Sequence, residues 1–299
     1  MALPQEFIER LTAQFGASNT SVILRGLAAK RPTTFRTNLL RTTDEAVMEG
    51  LRQAQVMFAR VKEVPHAFSV RGIENDAVLK LKLNEDGKIY LQGLTSMLPA
   101  VILDPKPGEV VADICAAPGS KTSQMAAMMK NEGKIIAVEE NSVRYQKLMN
   151  TLRIQGASMV EAKLEDSTVL HHTMPEMFDK ILADVPCSAE GRINVDDQRS
   201  YGFWSLKNIV AHAKLQRRLL RSAYACLKPG GTLVYSTCTL AAEENEAQID
   251  WFLAEYPDMK AEPISIPFSP SITHKNKSLT LLPSQSAEGF FVAKMVKRA

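Results

Sequence analysis

Two cysteines stand where a thiol could do chemistry: Cys187 in DVPCSAEG and Cys238 in YSTCT, each closing an apolar run. A lone free cysteine is usually a small buried hydrophobe. Two of them at neighbouring strand ends, one beside Asp184 and Pro186, suit nucleophilic catalysis better, because the thiolate is the attacking species and nearby cations or helix N-termini lower its pKa. Lys121 and the helix after Cys238 are candidate sources of that field. The chain's four cysteines, Cys115, Cys187, Cys226 and Cys238, show no CxxC spacing and no scaffold density. Free thiols in a reducing compartment are therefore expected, without disulfides or a metal site.

A second stretch with chemical potential is DICAAPGSK, Asp113 to Lys121. An apolar run precedes it and a helical pattern follows, so it is a strand-to-helix turn. Small residues and one glycine let a ligand approach such a backbone closely, and Ser120 and Thr122 are placed to cap the helix. A dinucleotide fingerprint needs three glycines, and only Gly119 is present. A phosphate-cradling loop needs an earlier glycine that is missing. What remains is a turn for a nucleoside ligand without a phosphate tail, of which S-adenosylmethionine is the commonest. The next strand ends in Glu139 and Glu140, about twenty residues after Gly119, where this class of sheet places a carboxylate for ribose hydroxyls.

These residues need a scaffold, and the pattern supplies one. Strands are expected over 110–115, 134–140, 160–165, 178–185 and 232–238, and helices over 120–129, 142–155, 206–226 and 242–256. Residues 289–297 form an apolar strand that can pair antiparallel at the sheet edge. This alternation predicts a doubly wound α/β sheet, whose ligands bind outside the carboxyl ends of the strands. Glu139, Asp166 and Asp184 would then line one crevice with Cys115 to Lys121. Upstream, a strand over 35–42, a helix from Asp44 to about residue 60 and strands over 66–71 and 77–83 make a small α+β module. The chain divides into 1–90 and 91–299.

At 299 residues and 45% hydrophobic content the chain can bury a large core. It has no apolar run of membrane-spanning length and no signal-peptide order at its start, so a cytoplasmic location is expected. Net charge is only +3. No acidic residue falls between Glu9 and Asp44, however, while Arg10, Arg25, Lys30, Arg31, Arg36 and Arg41 do. That basic arm is a candidate phosphate-contact surface.

DICAAPGSKT, AVEENSVR, DVPCSAEG, LKPGGTLVYSTCTLAAEENE and the terminal EGFF together resemble the Sun (Fmu/NOL/NOP-type) family of RNA cytosine-C5 methyltransferases, from about Arg36 to the C-terminus. RTN (Arg36 to Asn38) and LQGLTSMLPA (Leu91 to Ala100) belong to the same pattern. The resemblance implies a Rossmann-like S-adenosylmethionine methyltransferase sheet with an antiparallel C-terminal edge strand, preceded by an RRM-like module. It implies that Cys238 adds to carbon 6 of cytosine, that Asp184 holds the ring edge, and that Cys187 assists proton removal and enzyme release, with Lys121 beside them. Cys115, Ala116, Ala117, Pro118, Gly119, Ser120 and Lys121 would hold the methionine end of the cofactor. Glu139 would hold its ribose, Asp166 its adenine, and Arg144 and Asp184 would complete that site. RNA, transfer or ribosomal, is the implied partner, gripped through Lys30, Arg31 and Arg36, and a monomer is expected. The sequence departs from the pattern at Ser120 and Ala189 (usually glycine), Glu139 (usually Asp), Ala242 (usually proline) and Gly93 (commonly an acid). An inert assembly factor on the same fold, or a methyltransferase with another substrate, are the alternatives.

Overall fold

A computed structural model describes residues 3–266 and 268–298; the outer ends of the two-part division lie outside the described residues. The chain opens with α1 (Gln5–Leu27), which is broken where Gly16 leaves helical geometry at φ +76°. Next come β1 (Thr33–Thr37), α2 (Asp44–Gln53), β2 (Met57–Val61), β3 (Ala67–Arg71), the short helices α3 (Asn75–Leu79) and α4 (Lys82–Glu85), and β4 (Ile89–Leu91). The four strands pair antiparallel in the order β2-β3-β1-β4, a ferredoxin-like module. Its core is Phe35, Val47, Leu51, Phe68 and Ile89, all fully buried.

Four expectations fail in this module, the first being the strand expected over 35–42, which runs from Thr33 to Thr37 and gives way to a turn at Asn38. The helix expected from Asp44 to residue 60 is capped by Thr43 rather than Asp44, and it ends at Gln53. Gln55 turns the chain in the left-handed region at φ +55°, and MFARV then pairs with β3 as a strand. The alternating AVLKLKL segment, expected as a strand, is divided between α3 and α4, because Ile89–Leu91 takes the free side of β1. Of this segment only Val78, on α3, is buried, and no side chain of α4 is, so the alternation of apolar residues does not mark one covered face of a strand.

The module leads into α5 (Leu94–Leu103), which was not expected as a helix, and then into the alternating region: β5 (Val110–Asp113), α6 (Ser120–Met128), β6 (Lys134–Val138), α7 (Ser142–Gln155), β7 (Val160–Lys163) and β8 (Phe178–Asp184). These are followed by α8 (Leu206–Cys226), β9 (Leu227–Thr237), α9 (Glu246–Glu255), β10 (Met259–Glu262), β11 (Ser271–Thr273), β12 (Leu279–Leu281) and β13 (Phe290–Lys297). Local signals explain the best-defined boundaries. Asn141 accepts from the amides of Val143 and Arg144 at 3.0 Å, which starts α7, and Gly156 at φ +70° ends it.

Nine strands form one sheet in the order β11-β12-β13-β9-β8-β5-β6-β7, with β10 also on β13. β7, β6, β5, β8 and β9 run parallel. β13 runs antiparallel to β9, and β10 and β12 pair with its other side, so the antiparallel edge comprises four strands. Apolar side chains fill both faces of the central strands, one face packing on α5 and α6 and the other on α8 and α9. The helix expected over 242–256 begins as a 3-10 turn and breaks at Asn245 (φ −117°, ψ −104°) before α9. Among the described residues no helix is long and apolar enough to cross a membrane.

Candidate active site

β5, β6 and β8 end side by side, and their carboxyl ends carry Asp113, Glu139 and Asp184. After β5 the chain turns through Cys115, Ala116, Ala117 and Pro118 to Gly119, which takes φ +99° as the residue before α6. The backbone conformation favours glycine there, and a Cβ would also crowd the Leu148 and Thr151 side chains at 3.1 Å. Ser120 and Thr122 do not cap the helix as expected. The Thr122 hydroxyl instead donates to Asp113 at 2.7 Å, locking α6 to the strand it follows. Burial, aided by the charge of Asp184, raises the Asp113 carboxyl to about 6.

Glu139 is buried directly after β6. One of its oxygens accepts from the Asn141 amide at 3.0 Å and the other lies 3.4 Å from Arg144 Nη2. The same guanidinium donates to the carbonyl of Ala117 at 2.9 Å, tying the acid's strand to the turn. Asp166 accepts from the Thr168 amide at 2.8 Å and starts a 3-10 turn. Ile114, Cys115, Glu139, Asp166, Pro186 and Leu219 converge on one cleft. A nucleoside fits this donor set: carboxylates on two successive strands face a slot with apolar walls, suited to a ribose diol and a flat base. Burial pushes the Cys115 thiol well up and Cys226 to about 11, so neither is a ready nucleophile.

The other two cysteines meet. Cys187 Sγ and Cys238 Sγ are 3.3 Å apart, and the Cys238 amide donates to Cys187 Sγ at the same distance. The hydrogen bond from Cys187 draws the Cys238 thiol below its usual range, aided by the charge of Arg192, and Cys187 is driven up. Alongside, Lys121 Nζ lies 2.7 Å from Asp184 Oδ2 and donates to Ser96 Oγ at 2.8 Å, while Ser236 Oγ donates to Asp184 Oδ1 at 2.7 Å. Asp184 is thus fixed on both oxygens. The structure brings Cys187, Cys238, Asp184 and Lys121 together, and sets them against the turn that starts α6.

The loops carrying the two cysteines are held by residues the sequence did not single out. Fully buried Glu244 accepts from the Ser188 hydroxyl, from the Ser188 amide at 3.1 Å and from Gln216 at 2.9 Å. Burial lifts its carboxyl to about 7. Asn245 joins Thr237 Oγ1 at 2.6 Å to the Thr239 carbonyl at 3.0 Å, which is why the helix breaks there. The Gly191 amide donates to the Cys238 carbonyl at 3.0 Å, and the Gly289 amide to the Gly191 carbonyl at 2.9 Å. A Cβ on Gly191 would lie 2.1 Å from the Gly289 oxygen, so the EGFF glycine and the loop after PCS are mutually required. The sequence signals for this packing are the AAEENE stretch that carries Glu244 and Asn245, and the glycines of DVPCSAEG and EGFF. Arg192 pairs with Glu288 at 3.5 Å above the cysteines, at the edge of an open groove of about 1080 Å³ between the ferredoxin-like module and the large sheet.

Two of the three expected RNA-contact residues, Arg31 and Arg36, are engaged inside the fold, while Lys30 stays exposed. Arg36 is buried, donating to Gln92 at 3.0 Å, Ser123 Oγ at 2.8 Å and the Ser120 carbonyl at 3.2 Å, and burial pulls its guanidinium down to about 10. Successive residues of β1 face opposite ways, so Phe35 enters the module's core while Arg36 is pressed against α6. Asn38 donates to the carbonyls of Gly87 and Gln155, both at 2.8 Å, making RTN a strut between module and sheet. Arg31 donates to the carbonyls of Gly26 and Ala287. Lys30 is exposed on the groove and paired with Glu74 at 3.0 Å.

A doubly wound sheet whose strand ends present this turn, this acid and two adjacent thiols defines a Rossmann-like, S-adenosylmethionine-dependent methyltransferase. The family model described as 16S rRNA methyltransferase RsmB/F matches residues 100–296, and that of the RsmF/B-like ferredoxin-like domain matches residues 3–73. The chain belongs to the RsmB/F (Sun) family of RNA methyltransferases. It is 38% identical over 226 residues to a tRNA (cytosine(49)-C(5))-methyltransferase of Pyrococcus abyssi, covering 71% of each. It is 42% identical over 220 residues to the ribosomal RNA small subunit methyltransferase F of Escherichia coli, covering 71% of this chain but only 45% of the relative. The crystal structure of NSun6 from Pyrococcus horikoshii with SFG superposes with a TM-score of 0.89 at 26% identity, covering 100% of this chain and 99% of that one.

Proposed function

We propose that this protein transfers a methyl group from S-adenosylmethionine to carbon 5 of a cytosine in structured transfer or ribosomal RNA, in the cytoplasm and as a monomer, through a covalent cysteine adduct. The observation that carries this reading is the 3.3 Å contact between Cys187 and Cys238 beside the Lys121–Asp184 pair. Carbon 5 of cytosine is a poor nucleophile, and thiolate addition at carbon 6 converts the ring into an enamine that is a good one. Cys238 is the nucleophile in this proposal, as the family resemblance implies, and the hydrogen bond from Cys187 at 3.3 Å with the nearby Arg192 charge favours its thiolate. Asp184, oriented by Lys121 and Ser236, holds the ring at nitrogen 3 and delivers the proton that nitrogen 3 takes up as the thiolate adds to carbon 6. Cys187 assists removal of the carbon 5 proton, which it accepts as the thiolate once its own proton has passed to solvent; the electrons of the carbon 5–hydrogen bond then form the ring double bond as the bond from carbon 6 to Cys238 Sγ breaks, returning Cys238 as the thiolate and releasing the base. Cys115 to Lys121, Glu139, Arg144, Asp166 and Asp184 hold the cofactor, which supplies an electrophilic methyl group. The base must leave any helix to reach this pocket, which favours loops and bulges.

Incubation with S-adenosylmethionine and transcripts of transfer and ribosomal RNA, followed by nucleoside analysis, is expected to give 5-methylcytidine. Methylation at another atom, or none on either RNA, would overturn the reading.

A further inference from the structure

Arg31 and Arg36 are engaged inside the fold, and a second set of surface cations lies on α8. The 21 residues of α8, LKNIVAHAKLQRRLLRSAYAC, contain no aspartate or glutamate. Lys207, Lys214, Arg217, Arg218 and Arg221 are all exposed. Their spacing of seven, then three or four, residues places them along one side of the helix. From Lys207 to Arg221 the stripe is about 21 Å long at about 1.5 Å per residue. Lys207 and Lys214 have no ion-pair partner among the described residues. Arg218 and Arg221 lie 3.8 Å from Asp166 and Glu255, Arg218 also donates to Thr168 Oγ1 at 2.8 Å, and Arg217 and Arg221 sit over the Trp251 ring at 5.0 and 5.2 Å. At the amino end of the stripe Phe203, 57% exposed, and Val210, 49% exposed, present apolar surface to solvent.

The helix is rigidly registered to the candidate active site. Gln216 donates to the carbonyl of Pro186 at 2.9 Å, next to Cys187, and to Glu244 at 2.9 Å. Leu215 and Leu219 line the cofactor cleft. A polyanion lying along the exposed side would therefore be held at a fixed distance from the thiols.

We infer that the exposed basic side of α8 binds the phosphate backbone of the substrate RNA flanking the target base, with Phe203 as a stacking surface for a neighbouring base. Exposed cations on a helix without a single acid, three of them without an ion-pair partner among the described residues, attract a polyanion and release its counterions, and an exposed aromatic ring beside them favours unstacked bases. The inference rests on RNA being the substrate and adds where its backbone runs.

The test is RNA binding by the full chain over a range of KCl concentrations, using a structured tRNA transcript. The combined variant Lys207→Glu, Lys214→Glu, Arg217→Glu should bind at least tenfold more weakly at moderate salt. Its slope of log affinity against log salt should be shallower by about 2, from three contacts at roughly 0.7 each. Calorimetry with S-adenosylmethionine should give the parent's affinity, since none of the three touches the cofactor cleft. The milder pair Lys207→Gln, Lys214→Gln should move affinity and slope the same way by a smaller amount. Parent-like affinity and slope in either variant, with the parent binding RNA, overturns this inference and leaves the proposed function standing. A parent without salt-dependent RNA affinity overturns both.

Discussion

The cofactor side of the crevice is assembled from neighbours in sequence. Gly119 shapes the turn it sits in, Thr122 bonds to Asp113 nine residues away, and Glu139 accepts from an amide two residues on. The cysteine side is assembled across the chain. Cys187 and Cys238 are 51 positions apart, Ser188 reaches Glu244 over 56, and Arg10 of α1 donates to Glu243, 233 positions away, at 2.7 Å. A site made of local pieces is positioned once its strand and helix form. A site made of remote loops is positioned only when the whole sheet, its antiparallel edge and the N-terminal helix have packed. The first should lose function one residue at a time; the second should respond to changes well away from the thiols.

The largest expected effect separates the two thiols. Cys238→Ala should abolish methylation and any covalent complex, whereas Cys187→Ala should form the complex and fail to release it. A denaturing gel after incubation with RNA and S-adenosylmethionine should then show a slow protein–RNA band for Cys187→Ala alone. A band on Cys238→Ala, or none on either, would reverse or remove the assignment of Cys238 as nucleophile.

On the cofactor side, Glu139→Ala should weaken S-adenosylmethionine binding by on the order of tenfold to a hundredfold, the loss of one or two hydrogen bonds to a charged acceptor. Calorimetry reads this directly, with melting temperature in the absence of cofactor changing little. Unchanged affinity would take Glu139 out of the site.

A smaller effect tests the pairing above the cysteines. Arg192→Met removes a charge that favours the Cys238 thiolate, so iodoacetamide labelling of Cys238, mapped by mass spectrometry, should shift to higher pH and slow several-fold near neutrality. Glu288→Gln removes the opposing charge and should shift labelling the other way. Coincident pH profiles for the two variants would show that Arg192 acts only by packing.

The smallest effect concerns Glu244, whose carboxyl is raised from 4.5 to about 7 by burial. Below about 4.5 it is protonated in both folded and unfolded chains, and its stabilising contribution is complete. As pH rises through about 7 the folded state must ionise a buried group, and that contribution, on the order of 3 kcal/mol at most, is lost. Glu244→Gln should therefore flatten the fall in stability between pH 4.5 and 7, with a residual slope from Asp113. A parent-like slope in urea titrations of the variant would place the pH dependence elsewhere.

The sequence by itself determined the alternating strand and helix order, the bounds of α7 and α8, the turn at Gly119, the acid at Glu139 and the presence of two thiols at strand ends. Each follows from a short-range cause: β-branched runs, an Asn cap, a glycine stop, a helical period. Tertiary structure decided that Cys187 and Cys238 touch, that Asp184 is clamped by Lys121 and Ser236, and that Glu244 and the Gly191–Gly289 contact fix the loops. It also decided that Arg36 braces the fold instead of facing RNA, with Asn38 bonded beside it to the carbonyls of Gly87 and Gln155. Which face of a strand is covered, and which arginine finds a carbonyl rather than water, depends on what packs against it from distant parts of the chain. A window of sequence contains no information on that neighbour, so the chemistry of the site was readable from residue types while its supports were visible only after folding.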